Sequence, residues 1–235
     1  MIRILHGRLS MNWVNGVSNS LLWQPLPEKI ANSQMSSFRG FVNKEFQLNL
    51  KDYHQLYSWS ITNTEDFWES FWKFSNIISL ESYTQICNDI SKMPGAKWFS
   101  DAKLNFAKNL LLNRDKKPAI IFWGEDKHKS TLTHLELYNQ VAKLSHWLKQ
   151  NGVKKGDRIA GFLPNMSEAV VSMLATSSIG AIWTSCSPDF GVQGVLDRFG
   201  QVEPKIFICV DSYVYNGKVF NCLEKNKKII SKLPS

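Results

Sequence analysis

The sequence predicts an α/β fold in which a largely parallel sheet is flanked by helices, preceded by a mainly helical N-terminal segment. From about Pro118 onward, short apolar runs alternate with amphipathic stretches, which is the pattern of an α/β domain. The runs are almost continuously apolar, as expected for strands that helices cover on both faces. Residues 1–108 are instead rich in Trp and Phe, and their periodicity is patchy.

The N-terminal segment contains one clear helical pattern, which we predict over Glu65–Ser79. Asn63 or Thr64 can cap this helix, because either side chain can accept a hydrogen bond from its first turn. The apolar residues that recur at steps of three and four, and therefore share one face, are Phe67, Trp68, Phe71, Trp72 and Ile78.

The elements that follow Pro118 are predicted in alternating order. Apolar runs of strand length occupy residues 118–123, 158–163, 181–186 and 205–210. Helical patterns fill the intervals from Thr133 to Gly152, from Ser167 to Gly180 and from Gly194 to Gln201. Thr133 and Glu136 have the spacing of a capping box, so we expect them to begin the first of these helices.

Composition excludes several classes of protein. The chain has 235 residues, of which 43% are hydrophobic and 12% aromatic, and this argues against a mainly disordered protein. The net charge of +8 favours anionic small molecules such as nucleotides. Its basic residues are scattered and not interleaved with aromatic residues, so we expect no nucleic-acid partner.

Neither membrane insertion nor a metal site is expected. No apolar run approaches the roughly 20 residues that span a bilayer, and the N-terminus lacks the pattern of a signal peptide. The four cysteines form no C-x-x-C pair and the five histidines no H-x₃-H pair, so metal ligation is not predicted. We therefore expect a cytoplasmic protein with reduced cysteines.

A search for catalytic motifs finds none. The sequence contains no G-x-x-x-x-G-K-[ST] loop, no G-x-G-x-x-G, no G-x-S-x-G and no H-E-x-x-H. His134 is expected to be a solvent-facing residue in the first turn of its helix and not a general base. No catalytic residue is therefore predicted.

Two segments that follow predicted strands are candidates for ligand binding. Ser187, Pro188 and Asp189 come directly after the third strand, at the carboxyl edge where α/β sheets bind ligands. The alternative is a plain strand-to-helix turn in which Asp189 caps the next helix. Lys218 follows the fourth strand and could hold a phosphate, or it could be a solvated lysine in a polar loop.

A further group of basic residues lies near the C-terminus. Lys225, Lys227 and Lys228 form a basic face, which we expect to be exposed to solvent.

Three stretches together resemble a known family: LWQPLPEKIANSQM, WFSDAKLNFAKNLL, and the long run KKGDRIAGFLPNMSEAVVSMLATSSIGAIWTSCSPDFGVQGVLDRFGQVEPKIFICVDSYVYNGK. They are similar to acetoacetate–CoA ligases, a branch of the adenylate-forming acyl-CoA synthetase superfamily. The resemblance runs from about Leu22 to Ser235. It implies that residues 22–109 form an N-terminal cap segment of the acetyl-CoA synthetase type. Residues 110–235 would be the first part of the AMP-dependent synthetase/ligase domain, and residues 1–21 an extra, poorly ordered segment.

The resemblance also implies a reaction and a set of binding residues. Such enzymes use ATP and Mg²⁺ to convert a carboxylate into an acyl-adenylate, and then transfer the acyl group to coenzyme A (CoA). In related enzymes the loop matching Ser187, Pro188 and Asp189 lies near the CoA nucleotide, and a basic residue matching Lys218 contacts its phosphate. Those enzymes carry an arginine where this chain has Tyr215.

The family's phosphate loop, adenine-binding motif, hinge and catalytic lysine have no counterpart in these residues. We therefore expect the N-terminal portion of an acetoacetate–CoA ligase, inactive alone. A separately encoded C-terminal part is one candidate partner, and a split gene, a frameshift and a deliberate fragment all remain open as origins. Two alternatives remain open at this point. One is a fragment of another short-chain acyl-CoA synthetase, and the other is a non-catalytic CoA-binding or assembly module.

Overall fold

The computed structural model describes residues 23–125 and 128–234. The segment 1–21, for which poor order is predicted, lies outside these residues. The chain divides into two compact units, the first ending at Asn76 and the second beginning at Ile77. Each unit is described by itself.

The first unit is helical. Its helices are α1 (Pro27–Ala31), α2 (Gln34–Glu45), α3 (Tyr53–Thr62) and α4 (Thr64–Phe74). Phe38, Val42 and Leu56 form its buried core. The Phe38 ring meets the Phe67 and Phe74 rings edge-on at centroid distances of 5.9 and 5.2 Å, so aromatic packing holds α2 against α4.

Helix α4 differs from its prediction at both ends. The Asn63 side chain does not cap it but donates a hydrogen bond to the Trp59 carbonyl at 3.2 Å. The helix ends at Phe74, five residues before Ser79. Asn76 has a φ of 50°, a left-handed conformation that cannot continue a right-handed helix. Ile78 therefore lies outside the helix and not on its apolar face.

The second unit begins with four short strands, β1 (Ser79–Glu81), β2 (Gln85–Cys87), β3 (Trp98–Ser100) and β4 (Lys103–Leu104). They form two antiparallel pairs, β1 with β4 and β2 with β3. Helix α5 (Phe106–Leu110) follows. The mainly helical prediction for this part of the chain missed these strands, which are only two or three residues long.

The next apolar run does not join the parallel sheet. Strand β5 (Pro118–Trp123) pairs antiparallel with β6 (Lys129–Thr133). The prediction treated residues 118–123 as a strand of the parallel sheet and is wrong on this point. An antiparallel partner needs only a short connection, and the five residues between the strands supply it.

The parallel sheet has three strands, β7 (Arg158–Phe162), β8 (Ile182–Cys186) and β9 (Ile206–Cys209), in the order β8-β7-β9. Helices α6 (His134–Gln150) and α7 (Ser167–Ser178) pack on one face, where Ile159 lies in the core. On the other face Ala160 and Phe162 pack with α8 (Val192–Phe199). Helices therefore cover both faces of this sheet, while the remaining sheets are antiparallel.

The predicted capping box of α6 is confirmed. The Glu136 N–H donates to Thr133 Oγ1 at 3.2 Å, and the Thr133 N–H donates to Glu136 Oε2 at 2.8 Å. The Thr133 N–H and the Thr133 hydroxyl, which also donates to Glu136 Oε2 at 2.7 Å, lower the pKa of Glu136. Gly152 lies just after the helix with a φ of 75°, which is the left-handed conformation expected where a helix ends.

The segment predicted as a polar loop is a hairpin. Strand β10 (Ser212–Tyr215) pairs antiparallel with β11 (Lys218–Asn221), and Tyr215 lies opposite Lys218. Asn216 and Gly217 form the turn with φ values of 50° and 70°, as type I′ hairpin turns require. Helix α9 (Leu223–Ile230) follows directly.

Candidate ligand-binding edge of the parallel sheet

Two cavities open where the strands of the parallel sheet end. One, of about 330 Å³, is lined by residues that follow β7 and by the end of β8, including Ser187. The other, of about 350 Å³, lies between the β5–β6 hairpin and β10. Pro164 and Asn165, which follow β7, line both cavities. This carboxyl edge is where the sequence placed its candidate residues.

The loop after β8 presents two of its three candidate side chains to solvent. Ser187 and Asp189 are exposed, whereas Pro188 is fully buried. The residue that precedes helix α8 as its N-cap is Gly191, and no side chain caps that helix. The alternative in which Asp189 caps the helix is therefore wrong. Within the described residues, the Asp189 carboxylate has no hydrogen-bond or ion-pair partner.

Lys225 of helix α9 binds the backbone of this loop. Its Nζ donates hydrogen bonds to the carbonyls of Pro188 at 2.8 Å and Phe190 at 3.3 Å. The same ammonium lies 5.8 Å from the centroid of the Phe162 ring. The prediction that Lys225 belongs to a solvated basic face is wrong, because its side chain turns towards the sheet.

The other two members of that basic face are exposed, as predicted. Lys227 pairs with Glu224 at 2.8 Å. One signal for the different orientation of Lys225 exists in the sequence. Ile229 is buried in the core, and residues four apart lie on the same face of a helix, so Lys225 points to the same side.

Tyr213 lies in β10 of the β10–β11 hairpin, and its ring stacks on Phe220 of β11 at a centroid distance of 5.3 Å. Burial raises the pKa of Tyr213, and the neighbouring Cys222 and Asp189 raise it further. The Asp189 carboxylate therefore lies close enough to influence the hairpin electrostatically. Tyr213 also lines the 350 Å³ cavity.

Lys218 lies farther along the hairpin, two strand positions beyond Tyr213, or roughly 7 Å. Its side chain is exposed and has no hydrogen-bond or ion-pair partner in the part of the chain that the structure describes. The preceding Gly217 N–H donates to Glu125 Oε2 at 3.2 Å, and Glu125 lines the 350 Å³ cavity. The structure thus places Lys218 at the same edge as Ser187 and Asp189, at some distance from them.

His134 makes a contact that the sequence did not reveal. Its Nδ1 lies 2.6 Å from Asp115 Oδ1, and the hydrogen bond to His134 lowers the pKa of Asp115. The pair lies at the start of α6, beside the Pro118–Thr133 end of the β5–β6 hairpin, whereas the other end of this hairpin lines the cavity. We therefore assign the pair to the scaffold.

The cysteines and acidic residues provide no metal centre in the described ranges. All four cysteines are free, and burial raises the pKa of Cys186, Cys209 and Cys222, so these thiols stay protonated. No group of three or more His, Cys, Asp or Glu side chains comes together among residues 23–125 and 128–234. Within the same ranges, no helix has the length and apolar character required to cross a bilayer.

Two family models match the chain. The model described as "AMP-binding enzyme" matches residues 109–234. The model described as "Acetyl-coenzyme A synthetase N-terminus" matches residues 53–110.

Individual relatives agree with these matches. An acetoacetyl-CoA synthetase from Macaca fascicularis is 41% identical over 219 residues, which are 91% of this chain and 32% of the relative. One from Rhizobium meliloti (strain 1021) is 45% identical over 197 residues, which are 84% of this chain and 30% of the relative. The chain therefore spans about a third of the length of the curated relatives it matches.

A solved structure shows the same likeness in three dimensions. The acetoacetyl-CoA synthetase from Streptomyces lividans superposes with a TM-score of 0.84 at 36% sequence identity, covering 90% of this chain and 33% of that one. The AMP-binding match extends over more than half of the 235 residues. The chain thus belongs to the AMP-binding enzyme family.

Proposed function

We propose that this chain is the N-terminal portion of an acetoacetate–CoA ligase and that it contributes part of the binding site for CoA. The complete reaction joins acetoacetate to CoA through an acyl-adenylate, consuming ATP and releasing AMP and diphosphate. The names of the three relatives described above support this choice of substrate, since all three are acetoacetyl-CoA synthetases.

The observation that carries the proposal is the pair of unpartnered charges at the carboxyl edge. Lys218 offers an exposed ammonium, which attracts a phosphate as a point charge. Asp189 can only accept hydrogen bonds when ionised, so it suits a ribose hydroxyl or an amino group and repels phosphate. Ser187 can both donate and accept. Together they fit the phosphate and the sugar of a nucleotide lying across the two cavities.

Adenylation makes demands that these residues do not meet. It requires the phosphates of ATP to be oriented and the charge that develops on them to be neutralised. The described residues bring no carboxylate cluster together that fits Mg²⁺, so we derive no step through this ion. We propose that groups outside these residues meet those demands and that residues 1–235 alone form no acyl-adenylate.

We also propose that the protein works in the cytoplasm. All four cysteines are free, and three of them are buried. Structural disulfides are rare in the reducing cytosol, where free buried thiols behave as small apolar side chains.

Two measurements on the purified chain test the proposal. Calorimetric titration with CoA should show saturable binding that weakens with added salt, since exposed charges are screened. Pyrophosphate exchange into ATP in the presence of acetoacetate should remain at the level of the protein-free control. Absence of CoA binding would contradict the assigned CoA site. Pyrophosphate exchange clearly above the protein-free control would contradict the proposal that this chain alone forms no acyl-adenylate.

A further inference from the structure

Helix α9 touches both segments that carry the candidate binding residues. Lys225 Nζ reaches the carbonyls of Pro188 and Phe190 in the loop after β8. The neighbouring Asn226 is buried, and its Nδ2 donates to the carbonyl of Val210 at 2.7 Å. Val210 follows β9 and lines the 350 Å³ cavity. Two adjacent residues in the first turn of α9 thus link the two loops at the carboxyl edge.

The Lys225 ammonium forms no ion pair within the part of the chain that the structure describes. Among the described residues no carboxylate pairs with it, whereas Lys227 on the exposed side of the same helix pairs with Glu224 at 2.8 Å. The ammonium is half-buried and faces two carbonyl oxygens and the Phe162 ring. These groups carry only partial negative charge, so a positive potential remains beneath Ser187 and Asp189.

Side-chain packing anchors this loop at Pro188, which is buried, and at Phe190, whose ring centroid lies 4.4 Å from the Arg198 guanidinium, but its backbone has few hydrogen bonds apart from those to Lys225. Within residues 187–190 one backbone hydrogen bond is described, from the Phe190 N–H to the Ser187 carbonyl at 3.2 Å. Removing the ammonium leaves the carbonyls of Pro188 and Phe190 without their donor, and buried acceptors that lose a partner are costly. The loop would then move until water reaches these carbonyls.

We propose that Lys225 is a positioning residue for the nucleotide-binding edge. It fixes the loop after β8 on α9, and it thereby sets the direction in which Ser187 and Asp189 face the ligand. The role in ligand binding rests on the proposed CoA function, whereas the fixing of the loop does not. We therefore expect that arginine, which is also long and positively charged, can take the place of Lys225 in this role and that an uncharged side chain cannot.

Hydrogen–deuterium exchange and ligand titration on three variants of the full chain test this role. Lys225→Met keeps the length and removes the charge, Lys225→Arg keeps a donor cation, and Lys228→Met is the control from the exposed side of the same helix. We expect Lys225→Met to speed exchange in peptides covering residues 187–191 at least tenfold, with no change in residues 158–162. Affinity for 3′,5′-ADP should fall at least fivefold.

The conservative variant and the control complete the test. Lys225→Arg should restore both quantities to within about threefold of the parent, and Lys228→Met should change neither by more than twofold. Unchanged exchange in residues 187–191 of Lys225→Met would overturn the proposal. Faster exchange with unchanged affinity for 3′,5′-ADP would overturn the role in positioning.

A measurement on the unmodified chain keeps the proposal testable if Lys225→Met does not fold. Acetylation by a limiting amount of acetic anhydride, followed residue by residue by mass spectrometry, should modify Lys225 at least fivefold more slowly than Lys228. Equal rates would show that Lys225 is not held by the loop. If the parent chain does not bind 3′,5′-ADP at all, the proposed function fails, while exchange and acetylation still decide whether Lys225 fixes the loop.

Discussion

Charged residues at the two ends of the parallel sheet differ in whether other groups of the fold bind them. At the amino end, Lys205 pairs with Asp157 at 2.9 Å. Arg158, the first residue of β7, donates to the carbonyls of Val202 and Glu203 at 2.5 and 2.8 Å. Each of these charges is thus used within the fold, where it holds β7 to the segment that precedes β9.

At the carboxyl end, the charges of Asp189 and Lys218 have no partner among the described residues, and two cavities open at this edge, one lined by Ser187 and the other by Tyr213. Lys225 is engaged there with backbone carbonyls, and Glu125 accepts a hydrogen bond from the Gly217 N–H. The comparison teaches that unpaired charge marks the side of this sheet that is available to a ligand. Substitutions at the amino end should therefore change stability, and exposed ones at the carboxyl end should change binding.

The largest expected effect concerns the core beneath the carboxyl edge. Phe162 is fully buried at the end of β7, so Phe162→Ala should lower the free energy of unfolding by about 3–5 kcal/mol. Phe220→Ala is the control, because Phe220 lies half-exposed on β11 and should cost only about 1 kcal/mol. Urea denaturation measures both, and equal losses would contradict this assignment of the core.

A smaller loss is expected where β7 meets β8. The Trp183 side chain lies so close to Gly161 that any Cβ at this position would overlap it. Gly161→Ala should therefore destabilise the protein by about 1–3 kcal/mol. Gly40→Ala in α2 should have the opposite sign, because a Cβ there meets open space and alanine favours a helix. Thermal unfolding of the two variants should separate them, and a neutral Gly161→Ala would show that Trp183 moves freely.

A matched pair of substitutions tests the comparison of the two ends directly. Arg158→Met removes two hydrogen bonds of a charged donor and should lower stability by about 2 kcal/mol, with CoA affinity unchanged. Lys218→Ala should leave stability unchanged and weaken CoA about fivefold. Denaturation gives the free energy of unfolding of each variant, and calorimetry gives its dissociation constant for CoA. If Arg158→Met weakened CoA binding and left stability unchanged, the assignment of the amino end to stability and of the carboxyl end to binding would be wrong.

The capping box of α6 provides an effect of about 1 kcal/mol. Thr133→Ala removes the hydroxyl that accepts the Glu136 N–H and should lower stability by about that amount. Thr133→Ser keeps the hydroxyl and should keep most of the stability that the capping box contributes. Met166 is the N-cap residue of helix α7 at the carboxyl edge, and its side chain makes no capping hydrogen bond, so Met166→Ala should lack this effect. A full loss in Thr133→Ser would show that packing, and not the hydroxyl, matters.

The smallest expected effect is a pH dependence from the amino end. The Lys154 N–H and the Lys205 ammonium lower the pKa of Asp157 in the folded protein. Asp157 therefore adds stability above its unfolded pKa of about 3.9, and this is lost as pH falls through the folded value. In acid titrations of stability, Asp157→Asn should show a shallower loss than the parent. An unchanged acid profile would mean that the pair with Lys205 does not persist in solution.

The accuracy of the sequence-based predictions differs among the strands for a physical reason. Strands β7, β8 and β9 each lie inside the apolar runs that predicted them, because helices on both faces of a sheet favour continuous apolar residues. The central strand β7 is buried, whereas β8 and β9 are only partly buried. The exposed hairpin β10–β11 has no such run and was predicted as a loop. Its turn did carry a usable signal, since Asn216–Gly217 is a typical hairpin dipeptide.

The candidate site was predictable only in part. Its position at the carboxyl edge follows from the order of strands and helices, and Lys218 was singled out because it follows a strand. The role of Lys225 was not visible, because its partners are backbone carbonyls 35 and 37 residues earlier in the chain. Every residue has such a carbonyl, so no sequence pattern marks the acceptors.

The most direct test of the account compares CoA with dephospho-CoA, which lacks only the 3′-phosphate, on the parent chain and on Lys218→Ala. Calorimetric titration gives the four dissociation constants of a thermodynamic cycle. We predict that the parent binds CoA about fivefold more tightly than dephospho-CoA and that Lys218→Ala binds the two equally. If Lys218→Ala keeps the parent's preference for CoA, Lys218 does not contact this phosphate and the assignment of the carboxyl edge as a CoA site is contradicted.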